Sequence, residues 1–216
     1  MKKTIAAFDI DGTILPDNSA ERIFIKYLIG KGELRLADGI RYAMHLLTRL
    51  PRGWIGATKG NKYYLKSKSA ARIDSLAGSC FHEEIAPLIS DRARGKIEEH
   101  RARGDVIVLL SGTLDVLLER FTENLRADHS HGSTLITSGG RFTGKIEGLY
   151  PYGDAKAAIV ERYYGSDSYD LYKSSAYANH QTDLPFLDLF GHKALANPEP
   201  RLADEARRRG IEIVEF

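Results

Sequence analysis

Thr4-Ile5-Ala6-Ala7-Phe8-Asp9-Ile10-Asp11-Gly12-Thr13 decides the fold of this chain. Residues Thr4 to Phe8 are apolar and stop abruptly at two acidic residues and a glycine. A run that short, closed by turn residues, reads as a buried strand entering a loop. The pattern returns at Val106 to Leu110 (VIVLL), closed by Ser111-Gly112-Thr113. Its β-branched content favours strand over helix. A third run, Asp170 to Ala176, leads into Tyr177-Ala178-Asn179, and Lys193 to Ala196 and Ile211 to Val214 read as short closing strands. Between them Phe81–Arg103, Leu114–Leu125 and Ala155–Tyr164 carry helical spacing. Strands alternating with helices predict an α/β fold, a Rossmann-like parallel sheet with helices on both faces.

The stretch from Ser19 to Ser79 breaks that rhythm. It holds no convincing strand and is amphipathic and basic, with Arg22, Lys26, Lys31, Arg35, Arg41, Arg49 and Arg52, then lysines from Lys59 to Lys68. A βαβ crossover needs only about a dozen residues, so this stretch reads as an inserted helical module. Ser138 to Gly148 (SGGRFTGKIEG) reads as a β-hairpin, because no helix follows its glycines directly.

The 216 residues are 43% hydrophobic and 28% charged, which excludes global disorder. Net charge is +2, too small for a dedicated nucleic-acid binder. One cysteine, Cys80, excludes an internal disulfide and a thiolate zinc cage; it reads as a core residue. The lysine-led N-terminus meets Asp9 and Asp11 too early for a secretory signal, and no apolar run spans a bilayer. The cytoplasm is the expected compartment. No G-x-G-x-x-G follows a strand, which argues against a dinucleotide enzyme.

Four clusters fall at the strand ends, where open α/β sheets bind ligands. Asp9 and Asp11 flank Ile10 just past the first strand; paired carboxylates there need a cation or proton chemistry, or else form an Asx-type turn. Ser111-Gly112-Thr113 at a helix start makes a phosphate seat or a simple N-cap. Lys156 stands in the first turn of a helix, against the macrodipole, as an anion binder or a solvated lysine. Asn179-His180-Gln181-Thr182-Asp183-Leu184-Pro185 is a polar edge, or a loop with Asp183 as N-cap.

Taken in order, the four clusters resemble the motifs of the haloacid dehalogenase (HAD) superfamily, in its phosphoserine-phosphatase-like branch, subfamily IB. FDIDGT resembles motif I, LLSGT motif II and YGDAKAAIV motif III. AYANHQTDLPFL resembles the branch's Y-x-D-S-x-x-D-L-P-x-L motif IV, and the Lys193–Pro198 stretch resembles the strand that follows it. The resemblance implies a HAD core over 1–16 and 82–216 and an all-helical C1 cap over 17–81. It implies a Mg²⁺-dependent phosphomonoesterase acting on a small phosphorylated metabolite through an aspartyl-phosphate. Asp9 is then the nucleophile and Asp11 the general acid and base. Thr13, Gly12, Ser111, Gly112 and Lys156 hold the phosphate or orient the groups around it. Asp9, Asp11, Asn179 and Asp183 surround the metal, Asp11 through its carbonyl.

Two departures stand out. Motif IV of the family begins with Asp where this chain has Asn179, whose amide brings no charge. The alternative is therefore a HAD-fold phosphate- or partner-binding protein with weakened or lost catalysis. The cap glutamate with which phosphoserine phosphatases of this branch read the substrate amine falls at Asn18, which disfavours phosphoserine, although Glu21 lies within a turn of it. The cap adds Tyr42, Trp54, Lys62, Tyr63 and Tyr64 to its basic residues. Such a surface suits a second anion or a phosphatidylglycerophosphate-like headgroup, and Leu34–Ile55 suits a membrane surface. A solvated cap face packed on its own core is the favoured reading. His129 and His131 read as a surface loop rather than a metal site. No nucleic-acid partner is expected, and the oligomeric state is not readable.

Overall fold

The computed structural model describes residues 2–49 and 60–216. One seven-stranded sheet organises it, in the order β4-β3-β2-β1-β5-β6-β7. The strands are β1 (Ile5–Phe8), β2 (Val106–Leu114), β3 (His129–Ser138), β4 (Arg141–Glu147), β5 (Ser175–Ala178), β6 (His192–Ala196) and β7 (Glu212–Val214). All neighbours are parallel except β3 and β4. β1 sits centrally, with Phe8 opposite Leu109 of β2 and Tyr177 of β5.

Strand alternation sends side chains to two cores. Ala6, Phe8, Ile107 and Leu109 join one face; Ile5, Ala7, Val108 and Leu110 join the other. The first face is covered by α1 (Ala20–Gly30), α3 (Ala70–Cys80), α4 (Asp91–Ala102) and α5 (Asp115–Leu125) through Phe24, Ile73, Ile97 and Phe121. The second is covered by α6 (Asp154–Tyr164), the helical turn Leu184–Leu187 and α7 (Pro200–Arg209) through Ile159, Phe186 and Ala206. The expected α/β sheet with helices on both faces is present.

Between β1 and α4 the insertion is helical among its described residues: α1, α2 (Leu36–Arg49), a 3₁₀ turn at Tyr63–Leu65 and α3. Helix α2 faces opposite to the expectation for a solvated basic cap. Its inward side is polar: Asp38 is buried and accepts from Lys68 Nζ at 2.8 Å, and His45 stacks on Tyr63. Its outward side is apolar, with Leu36 83%, Ile40 53%, Met44 65% and Leu47 65% exposed. Arg52, Trp54 and Lys59, and the end of the Leu34–Ile55 stretch, lie outside the described residues. No described helix is long and apolar enough to cross a membrane.

Several boundaries differ from the sequence reading. The expected helix Phe81–Arg103 is broken: a π turn at Phe81–Ile85 and a 3₁₀ turn at Ala86–Leu88 precede α4. Pro87 has no N–H to donate into the preceding turn, the chain becomes extended at Ile89, and Ser90 recaps α4 by accepting from Ala93 N–H. β5 starts at Ser175, not Asp170, because the Asp170 carboxylate caps a 3₁₀ turn at Leu171–Lys173. β7 starts at Glu212. The hairpin is real, but its first strand begins at His129, and Gly139-Gly140 turn it with φ +56° and +71°. His129 and His131 therefore sit in a strand, not a loop, each bonded to the Tyr164 hydroxyl. Cys80 is buried as expected, and burial pushes its thiol up to about 12.

Candidate active site

β1 delivers Asp9 to the C-terminal edge of the sheet, with Asp9 N–H donating to Tyr177 carbonyl at 2.9 Å. The chain then turns at Gly12, φ +79°. A Cβ there would stand 1.9 Å from Asn179 Nδ2, so the Asn179 side chain lies directly against this turn. Motifs far apart in sequence thus meet because β1 and β5 are hydrogen-bonded neighbours.

Lys156 is the centre of the cluster. Its ammonium is buried, 2.9 Å from Asp9 Oδ1 and 3.0 Å from Asp183 Oδ1. Burial alone would pull it down, but Asp9 and Asp183 outweigh burial and hold it above the ordinary lysine range. That removes the puzzle of a lysine in the first turn of α6: it faces two carboxylates rather than solvent. Asp183 stands at the start of the Leu184–Leu187 turn, but its side chain makes no cap bond. Burial raises Asp183, and Lys156 opposes that rise.

Asp11 has a different setting. Its oxygens accept from Ala20 N–H at 2.9 Å and Ser19 Oγ at 3.0 Å. Burial, with Asp9 nearby, still lifts it to about 6. A carboxyl poised there exchanges protons near neutrality. Asn18, by contrast, is tied to its own turn, Nδ2 donating to Pro16 carbonyl at 2.9 Å.

The expected phosphate seat is built differently from its sequence reading. Ser111 and Thr113 lie in β2 itself, whose register shifts between Leu110 and Leu114, and their hydroxyls are 3.0 Å apart. Helix α5 starts at Asp115, whose carboxylate takes the N–H groups of Val116 and Leu135. The seat is thus an irregular strand end rather than a helix N-terminus. Thr13 Oγ1 is buried and has no hydrogen-bond partner.

Residues outside the four clusters complete the site. Tyr150 crosses Gly112 so closely that a Cβ there would lie 2.6 Å from the phenol oxygen. Lys62 Nζ stands 5.5 Å over the Tyr150 ring. Lys62 also binds Glu21, whose second partner is Tyr64. Tyr150 sits beside Tyr152 just before Gly153-Asp154, an aromatic signal that local reading had available. Lys62 and Tyr64 carry no such signal. Above the cluster opens a cleft of about 1670 Å³, lined from Asp11, Gly12 and Asn179 at one end to α1, α2 and α7.

Three acidic side chains, Asp9, Asp11 and Asp183, meet one ammonium here, so the cluster is short of positive charge. Its remaining donors are oxygens, from those carboxylates and the Asn179 amide, and Thr13 Oγ1 is an orphaned polar atom. Among described residues, no three His, Cys, Asp or Glu side chains converge on a metal position. The donor chemistry fits a hard, partly hydrated cation such as Mg²⁺ and does not fit zinc.

A model of haloacid dehalogenase-like hydrolases matches residues 6–188, which span all four clusters. The chain belongs to that family. Among relatives of this hydrolase, the "Inhibition of morphological differentiation protein" of Streptomyces azureus is 28% identical, over 100% of this chain and 79% of its own. A phosphoserine phosphatase of Mycobacterium tuberculosis is 28% identical, over 98% of this chain and 70% of its own. A protein of unknown function from Bordetella pertussis Tohama I shares the fold, with a TM-score of 0.84, 23% identity and 99% of both chains covered. The resemblance to the phosphoserine-phosphatase-like branch holds.

Proposed function

We propose that this hydrolase is a Mg²⁺-dependent phosphomonoesterase that works through an aspartyl-phosphate on Asp9. The buried Lys156 between Asp9 and Asp183 carries the reading. An ammonium so placed offsets charge where a carboxylate must approach a phosphate. Mg²⁺, held by Asp9, the Asp11 carbonyl, Asn179 and Asp183, would supply further charge neutralisation there.

In the first step an Asp9 oxygen bonds to phosphorus and the bond to the leaving oxygen breaks. Asp11 gives that oxygen its proton. In the second step Asp11 takes a proton from water, the water oxygen bonds to phosphorus, and the Asp9–phosphorus bond breaks to release inorganic phosphate. Asp11 suits both roles because burial keeps its carboxyl near neutrality. Ser111, the Gly112 N–H, Gly12, Thr13 and Lys156 hold the phosphate oxygens, and Asn18 borders the leaving group. We take residues 17–81 as a cap over a core of 1–16 and 82–216. The relative named phosphoserine phosphatase supports the reaction class.

The test is phosphate release from a panel of small phosphoesters with Mg²⁺ varied and EDTA as control. Turnover that disappears with EDTA is expected. Asn179→Asp should raise Mg²⁺ affinity by roughly 10–100-fold, because it adds charge at the metal. Phosphate binding without turnover at any Mg²⁺ level, in wild type and Asn179→Asp alike, would replace this reading with a binding protein.

A further inference from the structure

The wall of the cleft contains an ion pair beside Asp11 that the proposed chemistry does not use. Glu21, on α1, lines the cleft beside Asp11. A half-buried carboxylate in a substrate cleft is a ready anchor for a cationic group. Here the anchor is already taken. Lys62 Nζ, only 1% exposed as a residue, donates to both Glu21 oxygens, at 2.7 and 2.5 Å. Tyr64 Oη donates to Oε1 at 2.6 Å. Lys62 is also seated on the Tyr150 ring, and Tyr150 in turn packs on Gly112 of the phosphate seat. The pair therefore stands in the cleft one aromatic ring away from Gly112, on the side where the proposed chemistry puts the leaving group.

We infer that Lys62 is a specificity-determining residue: it acts as a built-in ammonium that occupies Glu21, so the cleft takes phosphoesters whose leaving group carries no ammonium. An incoming ammonium would meet Lys62 rather than a free carboxylate. It would have to displace a buried, doubly bonded cation or lie beside it unpaired, and both are costly. A hydroxyl-bearing leaving group meets no such penalty. The inference rests on the phosphoesterase reading for the placement of the phosphate, and its test is made independent of turnover.

The probes are 2-aminoethylphosphonate and 2-hydroxyethylphosphonate, which differ at one group and cannot be hydrolysed at phosphorus–oxygen. Calorimetric titration with Mg²⁺ should show wild type binding the hydroxyl compound at least about tenfold more tightly. Lys62→Met exposes the Glu21 charge, and the ratio should shift by about tenfold or more toward the amine. Lys62→Arg keeps the counter-ion and should keep the wild-type ratio. Glu21→Gln with Lys62→Met removes both charges and should not favour the amine, which separates charge from a packing defect if Lys62→Met is unstable. An unchanged ratio in Lys62→Met, equal gains in the double variant, or no binding of either compound overturns the inference. A shifted ratio in a protein that hydrolyses no ester would leave it standing and sink the catalytic reading instead.

Discussion

The sheet edge and the inserted helices assemble their functional groups by opposite rules. At the edge, Asp9 and Asp11 sit within three residues of the end of β1, and Asn179 directly follows β5. Backbone register between neighbouring strands brings them together. In the insertion, Lys62 reaches Glu21 across 41 residues and Tyr64 reaches it across 43. No register fixes those contacts; helix packing does. The carboxylates of the edge are thus placed by sheet register, and Glu21, Lys62 and Tyr64 by the packing of the inserted helices.

Substitutions on each side sharpen that contrast. The largest effect belongs to the edge: Asp9→Asn should cut phosphate release by roughly 10³-fold or more while circular dichroism stays unchanged. A variant that keeps a tenth of wild-type turnover would break the assignment. Lys156→Met should follow, because it leaves Asp9 and Asp183 facing each other, buried and uncompensated. A loss of about 3–5 kcal/mol is expected, seen as a fall in Tm of roughly 6–20 °C for a chain of this size. The comparison fails if Lys156→Met melts like wild type.

A smaller effect tests the boundary between the two regions. Gly112→Ala puts a Cβ against Tyr150 and should cost about 1–3 kcal/mol through overpacking, with weaker phosphate binding. In a Tyr150→Leu background the same change should cost much less; an unchanged cost would mean that Tyr150 is not the obstacle.

The smallest effect lies away from both. His100 Nδ1 lies 2.7 Å from Asp105 Oδ2 and 2.6 Å from Arg103 Nη2, and its Nε2 lies 2.8 Å from Tyr177 Oη. Burial lowers its proton affinity, and Asp105 only partly opposes that. The unfolded chain therefore takes up the proton first as pH falls below 6.5, and the stability present at neutral pH is lost toward acid. Urea unfolding at pH 7.5 and 5.5 should show less acid loss for His100→Gln. Equal loss in both proteins would count against a neutral His100.

The same contrast explains what was legible in the sequence. Short apolar runs closed by acid or glycine marked β1 and β2, because a strand buried on both faces must be apolar throughout. Motif residues followed at fixed offsets. Strand ends are less visible: Ser111 and Thr113 look like a helix cap in sequence, yet β2 runs on past them through a register shift to Leu114, which pairs with Ser133 of β3. The run that announces β5 begins at Asp170, ahead of the strand itself, because Asp170 caps a turn that no periodicity announces. In sequence Lys62 and Tyr64 read only as parts of a basic, aromatic cap, and Glu21 only as an acid within a turn of Asn18. Their meeting depends on how α1 packs against the turn at Tyr63–Leu65, which pattern alone does not encode.

The contact between Gly12 and Asn179 has a consequence for how this chain can change by mutation. Position 12 has no room for even a methyl group while Asn179 keeps its place, and its positive φ already disfavours any other residue. The two positions therefore behave as one inherited unit. A lineage that enlarges residue 12 must first shrink residue 179, and that step gives up the amide packed on this turn. Exchange of Asn179 for Asp keeps size and crosses no such barrier. Single-step drift at this corner of the protein is therefore channelled toward charge, not volume.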